Sequence, residues 1–322
     1  MPAEEISIAP ARAPTRRVRD WVADSAHWDR YRPRPGDVII ATAPKVGTTW
    51  MQQIVRLLIF QDPTPAPIKD FSPWLDARFQ IPIDVAIAML EAQTHRRFLK
   101  SHLPFDALPL YGEVRYVHVA RDPRDAAMSF SNHYNSFTPA ALAKFDEIGI
   151  SDETIGRPYP RAPSDARAFF LEWLTREGWN GATAAAARFF ETERTYWSER
   201  QRPNLLLVHY NDLKADLQGE MRRIAAYLDI TVPEALWPGL AKAATFDQMK
   251  ADGGTLMSGS ERIFKGGSAS FLHKGVNGRW REVLTEADLE LYDQCAAASL
   301  SPGLRSWLER GRGGGDPRHL PE

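Results

Sequence analysis

Three strongly apolar runs, at 38–43, 114–120 and 205–210, and a briefer one at 97–100 each empty into a polar or proline-containing turn. Runs this short with no polar face predict strands buried on both sides. After most of them the apolar spacing lengthens to a helical period: at 51–60, where Thr48 or Thr49 can cap, through 129–134, and at 213–228. Further helices are expected at 84–93, at 166–177 with Phe169, Phe170, Trp173 and Leu174 on one face, and at 182–200 with Phe189, Phe190, Tyr196 and Trp197. Shorter ones are expected at 233–243, 246–250, 285–298 and 304–310. Strand, turn and helix in alternation imply right-handed crossovers and an α/β, P-loop-like fold in three layers, a central mostly parallel sheet flanked by helices. Such a sheet gathers ligands at the carboxyl ends of its strands.

Other stretches lack a period. Residues 1–34 read as a mobile arm with a short helix at 18–28. The proline-rich segment that follows the first helix offers Phe71, Trp74 and Phe79 as either packing or a wall of an acceptor pocket. Residues 136–165 are expected to be a lid or a disordered excursion, 253–278 are rich in Gly and Ser, and 312–322 form a flexible tail. One domain, 35–311, holds the rest.

Composition narrows the partners. The 322 residues are 43% apolar and 11% aromatic, enough for a sizeable core. Lys and Arg number 40 against 41 Asp and Glu, so no overall bias favours nucleic acid or an anionic membrane, and any anion site must be local. The single cysteine, Cys295, permits no internal disulfide or zinc spacing and fits a reducing cytosol. The first 20 residues hold acids and three prolines rather than an apolar leader. A cytoplasmic protein, neither secreted nor membrane-anchored, is expected.

The stretch DVIIATAPKVGTTW at 37–50 carries the clearest chemistry. A buried strand broken by Pro44, a tight turn at Gly47 and a following helix turn free N–H groups and the positive end of a helix dipole toward one point. An anion is the natural occupant, and Lys45 adds a mobile charge. This is not the GxxxxGKS/T nucleotide loop, because Lys45 precedes Gly47 and the upstream Gly is missing. The next strand ends add Lys100 with His102, then Arg121 with Ser129. Two lysines, an arginine, hydroxyls and a helix N-terminus suit a ligand with several phosphate-type groups, and a neutral His beside them can act as a general base.

Several blocks, in family order, carry a resemblance. PKVGTTW resembles the 5′-phosphosulfate loop of the cytosolic sulfotransferase family, which uses 3′-phosphoadenosine 5′-phosphosulfate (PAPS) and releases adenosine 3′,5′-bisphosphate (PAP). KSHLP resembles that family's catalytic block, and VHVARDPRDAAMSFSNHY its 3′-phosphate element, with Ser129 eight residues after Arg121. LLLVHYNDLKAD resembles its adenine strand, and FLHKGVNGRW its nucleotide signature at Lys274, Gly275, Gly278 and Trp280.

The resemblance implies His102 as catalytic base, with Lys45 and Lys100 steadying the transferring group and no metal required. It implies PAPS binding by Lys45, Val46, Gly47, Thr48, Thr49, Trp50, Arg121, Ser129, Tyr210, Thr245, Phe246, His273, Lys274 and Gly275. The expected acceptor is a hydroxyl of a small apolar or aromatic molecule held by Phe71, Trp74, Phe79, Tyr134 and Phe137. No nucleic-acid or membrane partner is expected. Val46 stands where the family has Ser, and His273 where it has Arg. PAPS binding is therefore expected to be weaker and more pH-dependent unless Arg262, Lys265 or Lys274 substitutes. REVLTEADLE resembles the family's dimer block with Glu286 in place of Val, so a monomer or weak homodimer is expected. Two other readings stay open: a P-loop kinase or hydrolase with Asp122 as magnesium ligand, and a PAP-binding protein without catalysis.

Overall fold

The computed structural model describes residues 9–176 and 185–322. Strands β1 (Val38–Ala41), β2 (Phe98–Ser101), β3 (Arg115–Ala120) and β4 (Leu205–His209) form one sheet in the order β2-β1-β3-β4, parallel throughout. Ile39 stands between Leu99 and Tyr116, and Tyr116 pairs onward with Leu205, so the apolar runs lie in register. Val38, Ile39, Ile40 and Ala41 have no exposed surface, as strands covered on both faces require.

Helices α1 (Thr48–Phe60), α2 (Ile68–Phe71) and α3 (Ile83–Glu91) connect β1 to β2. Helices α4 (Pro123–Asn135), α5 (Pro139–Ser151), α6 (Ala166–Thr175) and α7 (Ala185–Trp197) lie between β3 and β4. After the sheet come α8 (Tyr210–Ala215), α9 (Leu217–Tyr227), α10 (Trp237–Ala243), α11 (Phe246–Ala251), α12 (Gly253–Leu256), α13 (Gly267–Phe271), α14 (Glu286–Ser299) and α15 (Pro302–Arg310). The first crossover moves one way along the sheet and the β3-to-β4 crossover the other. Right-handed connections then put α1 and the α4–α7 group on opposite faces. The reversal falls between β1 and β3, and a crevice opens at the carboxyl ends of strands at such a switch point.

Several local expectations are corrected. The helix expected at 18–28 is a 3-10 turn at Ser25–Arg30, because the Asp20 carboxylate takes the amides of Val22 and Ala23 and holds the chain in a turn before it. The helix expected over 213–228 breaks at Asp216, whose carboxylate caps α9 at the Gly219 amide. Residues 136–165 are not an aperiodic excursion: Thr138 caps α5, Pro139 opens it, and Phe145 and Tyr159 are buried. Short helical turns also occupy much of 253–278. The tail expected to fray is seated by Arg200, which donates to the Pro317 carbonyl at 3.0 Å and pairs with Glu322 at 2.6 Å. The expected helix ends at 177 and 182–184 lie outside the described residues. Cys295 is half-buried on α14. Among the described residues no helix is long and apolar enough to cross a membrane.

Candidate functional site

A cavity of about 1110 Å³ opens at the switch point, with the β1–α1 loop as its floor. Gly47 caps α1 at φ 117°, and a Cβ there would meet the Tyr210 ring at 2.9 Å. Only glycine lets the loop and that ring come so close. No threonine side chain caps α1: Thr48 is its first residue and bonds the Thr42 hydroxyl at 2.6 Å. The first amides of α1 therefore have no side-chain partner and face the loop. Lys45 adopts φ 69°, a left-handed conformation that costs a non-glycine residue energy and recurs at ligand sites.

Cations converge above this loop. Lys45 Nζ lies 3.3 Å from His133 Nδ1 and 4.5 Å from the centre of the Phe271 ring. Burial, then the charges of Lys100 and Arg121, pull the Lys45 pKa to about 7. Lys100 Nζ sits 4.0 Å over Trp74, and burial lowers its pKa to about 8 against the opposing pull of Asp76. Among the described residues neither lysine makes a salt bridge to a carboxylate, so this density of positive charge is left for a ligand.

Arg121 lies 4.1 Å over the Tyr210 ring and gives Nη2 to Asn277 Oδ1 at 2.8 Å. Ser129 lines the same cavity one helical face along α4. Trp50 turns edge-on to Tyr210 and donates to the Ala244 carbonyl at 2.7 Å. Phe246, His273, Lys274 and Gly275 complete this end; a Cβ on Gly275 would meet the Phe246 ring at 2.6 Å. His273 Nδ1 is buried without a partner, and burial, then Arg279, Lys274 and Lys250, lower the His273 pKa.

At the other end His102 projects from the close of β2. Its Nδ1 lies 2.9 Å from the Thr42 carbonyl, which can only accept, so Nδ1 carries the proton and Nε2 keeps its lone pair. Burial, then Lys100, push its pKa well below the usual imidazole range, leaving the ring neutral at pH 7. Two positions at this site escape sequence reasoning. Asp76 accepts from the indoles of Trp74 (2.7 Å) and Trp28 (3.1 Å) and from the His102 amide (3.2 Å), tying the aromatic wall to His102; no spacing marks it. His133 lies one turn after Ser129 on α4, a spacing that puts both on one face and could have flagged it.

The structure does not bring every expected residue to the cavity. Val46 has no exposed surface and only its backbone is available. Thr245 is spent on α11, accepting from the Gln248 amide and donating to the Lys242 carbonyl. Phe71 packs on Phe60 at 5.0 Å and His95 at 6.0 Å, away from the cavity. Trp74, Phe79, Tyr134 and Phe137 do line it, joined by Phe145 and Tyr159 from the segment after α4. Asp122 is committed to Arg124, accepting from its amide and guanidinium, which argues against a magnesium ligand there.

A family model described as "Sulfotransferase domain" matches residues 35–302. A glycolipid sulfotransferase of Mycobacterium bovis (strain BCG / Pasteur 1173P2) is 34% identical over 318 residues, covering 93% of this chain and 95% of its own. Cytosolic sulfotransferase 1 of Danio rerio is 26% identical over 280 residues, covering 83% of this chain and 85% of its own. Retinol dehydratase, solved in complex with androsterone and the inactive cofactor PAP, shares the fold at a TM-score of 0.65 and 22% identity, over 85% of this chain and 83% of that one.

Proposed function

The chain belongs to the sulfotransferase domain family and is a PAPS-dependent sulfotransferase, and we propose that it sulfates a hydroxyl of a small, largely apolar acceptor with His102 as base. The residues present fit PAPS: Gly47 keeps the loop open where a Cβ would close it, Lys45 and Lys100 lack carboxylate partners among the described residues, and His273 Nδ1 is buried and unpaired. When bound, PAPS supplies the sulfuryl group and a bisphosphate leaving group.

The observation that carries the reading is the free Nε2 of His102, facing the same cavity as Lys45 and Lys100. His102 Nε2 takes the acceptor's proton as its oxygen attacks. Lys45 and the α1 amides hold negative charge at the loop, and Lys100, restrained over Trp74, holds it on the sulfuryl side. The aromatic walls suit apolar acceptors; one relative is named a glycolipid sulfotransferase and retinol dehydratase is solved with androsterone, and both kinds of molecule have the apolar bulk this cavity holds. Likeness to a cytosolic relative supports a cytoplasmic location. The segment resembling the dimer block is spent on the capping box of Thr285 and Asp288, which favours a monomer or weak homodimer. Transfer from PAPS to phenols, steroids, aliphatic alcohols or glycolipids tests the reading; no transfer to any of them, together with no binding of PAP, would overturn it.

Two further results are expected. Lys45 carries its charge below about pH 7 and loses it above. PAP affinity should be highest at or below neutrality and fall with rising pH by up to about tenfold per unit, as binding must take up a proton. With neutral His273 in place of a permanent cation, the dissociation constant should also exceed a micromolar level. Calorimetry across about pH 6 to 9 checks both; a submicromolar, pH-flat constant contradicts them. Gly47→Ala should weaken PAP binding by at least about tenfold, because its Cβ displaces Tyr210 and its φ is strained. Titration of the folded variant, verified by its melting curve, reads this directly.

A further inference from the structure

Beside the base stands a second imidazole that the reaction as described does not use. His133 on α4 lines the cavity, and its Nδ1 lies 3.3 Å from Lys45 Nζ. With Lys45 charged, as a bound phosphate keeps it, the ammonium can only donate, so Nδ1 accepts and the proton sits on Nε2. That N–H has no hydrogen-bond partner among the described residues and is not one of the protein's sealed-off unpaired atoms, so it opens onto the cavity. The ring is held in place by Phe137 at 5.0 Å, Phe264 at 4.9 Å and Phe271 at 5.9 Å. Burial and the neighbouring Lys45, Lys100 and His102 keep it neutral.

The chamber thus presents two complementary imidazoles: His102 Nε2 accepts, and His133 Nε2–H donates. His133 touches Lys45, and His102 packs on the Trp74 ring that carries Lys100, so each imidazole stands beside one of the two lysines assigned to transfer. We propose that His133 is an acceptor-specificity residue, selecting hydroxyl acceptors that carry a second oxygen on the neighbouring carbon, as vicinal diols, sugars and 2-alkoxyphenols do. The reacting hydroxyl donates to His102 while the second oxygen accepts from His133. This rests on the sulfotransferase reading and names the chemistry of its acceptor. An acceptor lacking the second oxygen leaves a half-buried N–H unpaired, and a site built to bond an oxygen rejects the analogue without it.

The test compares shape-matched pairs: 2-methoxyphenol with 2-ethylphenol, and cis-cyclohexane-1,2-diol with 2-methylcyclohexanol. The wild type should favour the oxygen-bearing member of each pair by about tenfold in kcat/KM. The ratio should fall to about one in His133→Phe and recover in part in His133→Gln, whose amide N–H stands near Nε2. PAP binding and a melting curve verify that the variants are folded. A wild-type ratio near one, a ratio that survives in His133→Phe, or an equal fall for both members would overturn the proposal; the last would leave His133 only as a support for Lys45. Transfer without discrimination sinks this inference alone. Absence of transfer to all four compounds, with PAP unbound, sinks the sulfotransferase reading with it.

Discussion

His102→Ala is expected to lower kcat/KM by about a hundred- to ten-thousandfold, with PAP binding retained. The loss is large because the Nε2 lone pair of His102 opens onto the cavity that Lys45 and Lys100 line, whereas the nitrogen that His133 turns toward it is a donor. The wild-type pH profile gives a second check. With a pKa held well below the ordinary imidazole range, His102 stays competent in mildly acidic buffer, and the rate falls only as pH drops through that low value. On the alkaline side the rate falls as Lys45, near pH 7 when nothing is bound, gives up its charge. A bell with its acid limb displaced downward is the expected form. Its acid limb should vanish in His102→Ala; a variant that keeps near-normal turnover would remove His102 from the mechanism.

The second large effect is expected at Asp76→Ala, and it falls on stability and activity together. Asp76 has no exposed surface, and its carboxylate gathers two indole N–H groups, the His102 amide and the Ser101 hydroxyl. Removing it strands several buried donors, each costing about 1 to 3 kcal/mol, so a total of about 3 kcal/mol or more is expected. Melting temperature should fall by about 5 °C or more. Turnover should fall too, because Trp74, which carries Lys100 on its face, and the His102 backbone lose their common anchor. Asp76→Asn should not rescue fully, since its amide N–H₂ would face donors rather than acceptors. Calorimetric melting and kcat measured side by side decide the matter; unchanged stability in Asp76→Ala would mean that water satisfies those donors.

What the chain reveals of itself follows from range. Lys45, Lys100, His102 and Arg121 are legible because each follows an apolar run, and a parallel sheet sets the ends of such runs along one edge whatever the strand order. Asp76 is not legible, since what makes it matter is the arrival of Trp28 and His102 from distant parts of the sequence. Phe71 and Trp74 are three residues apart in a proline-rich stretch without a period, so nothing local assigns one to the core and the other to the cavity. The 136–165 segment hides its order for a related reason: α5 buries only Phe145 and Gly149, too sparse a stripe to register as amphipathic. Thr245 is misplaced for a like reason, and at Val46 the backbone alone can serve. A family block names a position, whereas the fold decides whether the side chain or only the backbone faces the ligand.

Arg121 shares Asn277 Oδ1 between Nε and Nη2, and Asn277 Nδ2 donates in turn to Asn211 Oδ1 at 2.6 Å. A phosphate that takes the Nε and Nη2 edge of this guanidinium exchanges with a side-chain oxygen already there. Association then has two stages, an encounter and a swap of partners. At high nucleotide concentration the observed rate stops rising and levels at the pace with which Asn277 lets go. Stopped-flow mixing with PAP should show that plateau, and Asn277→Ala should raise it.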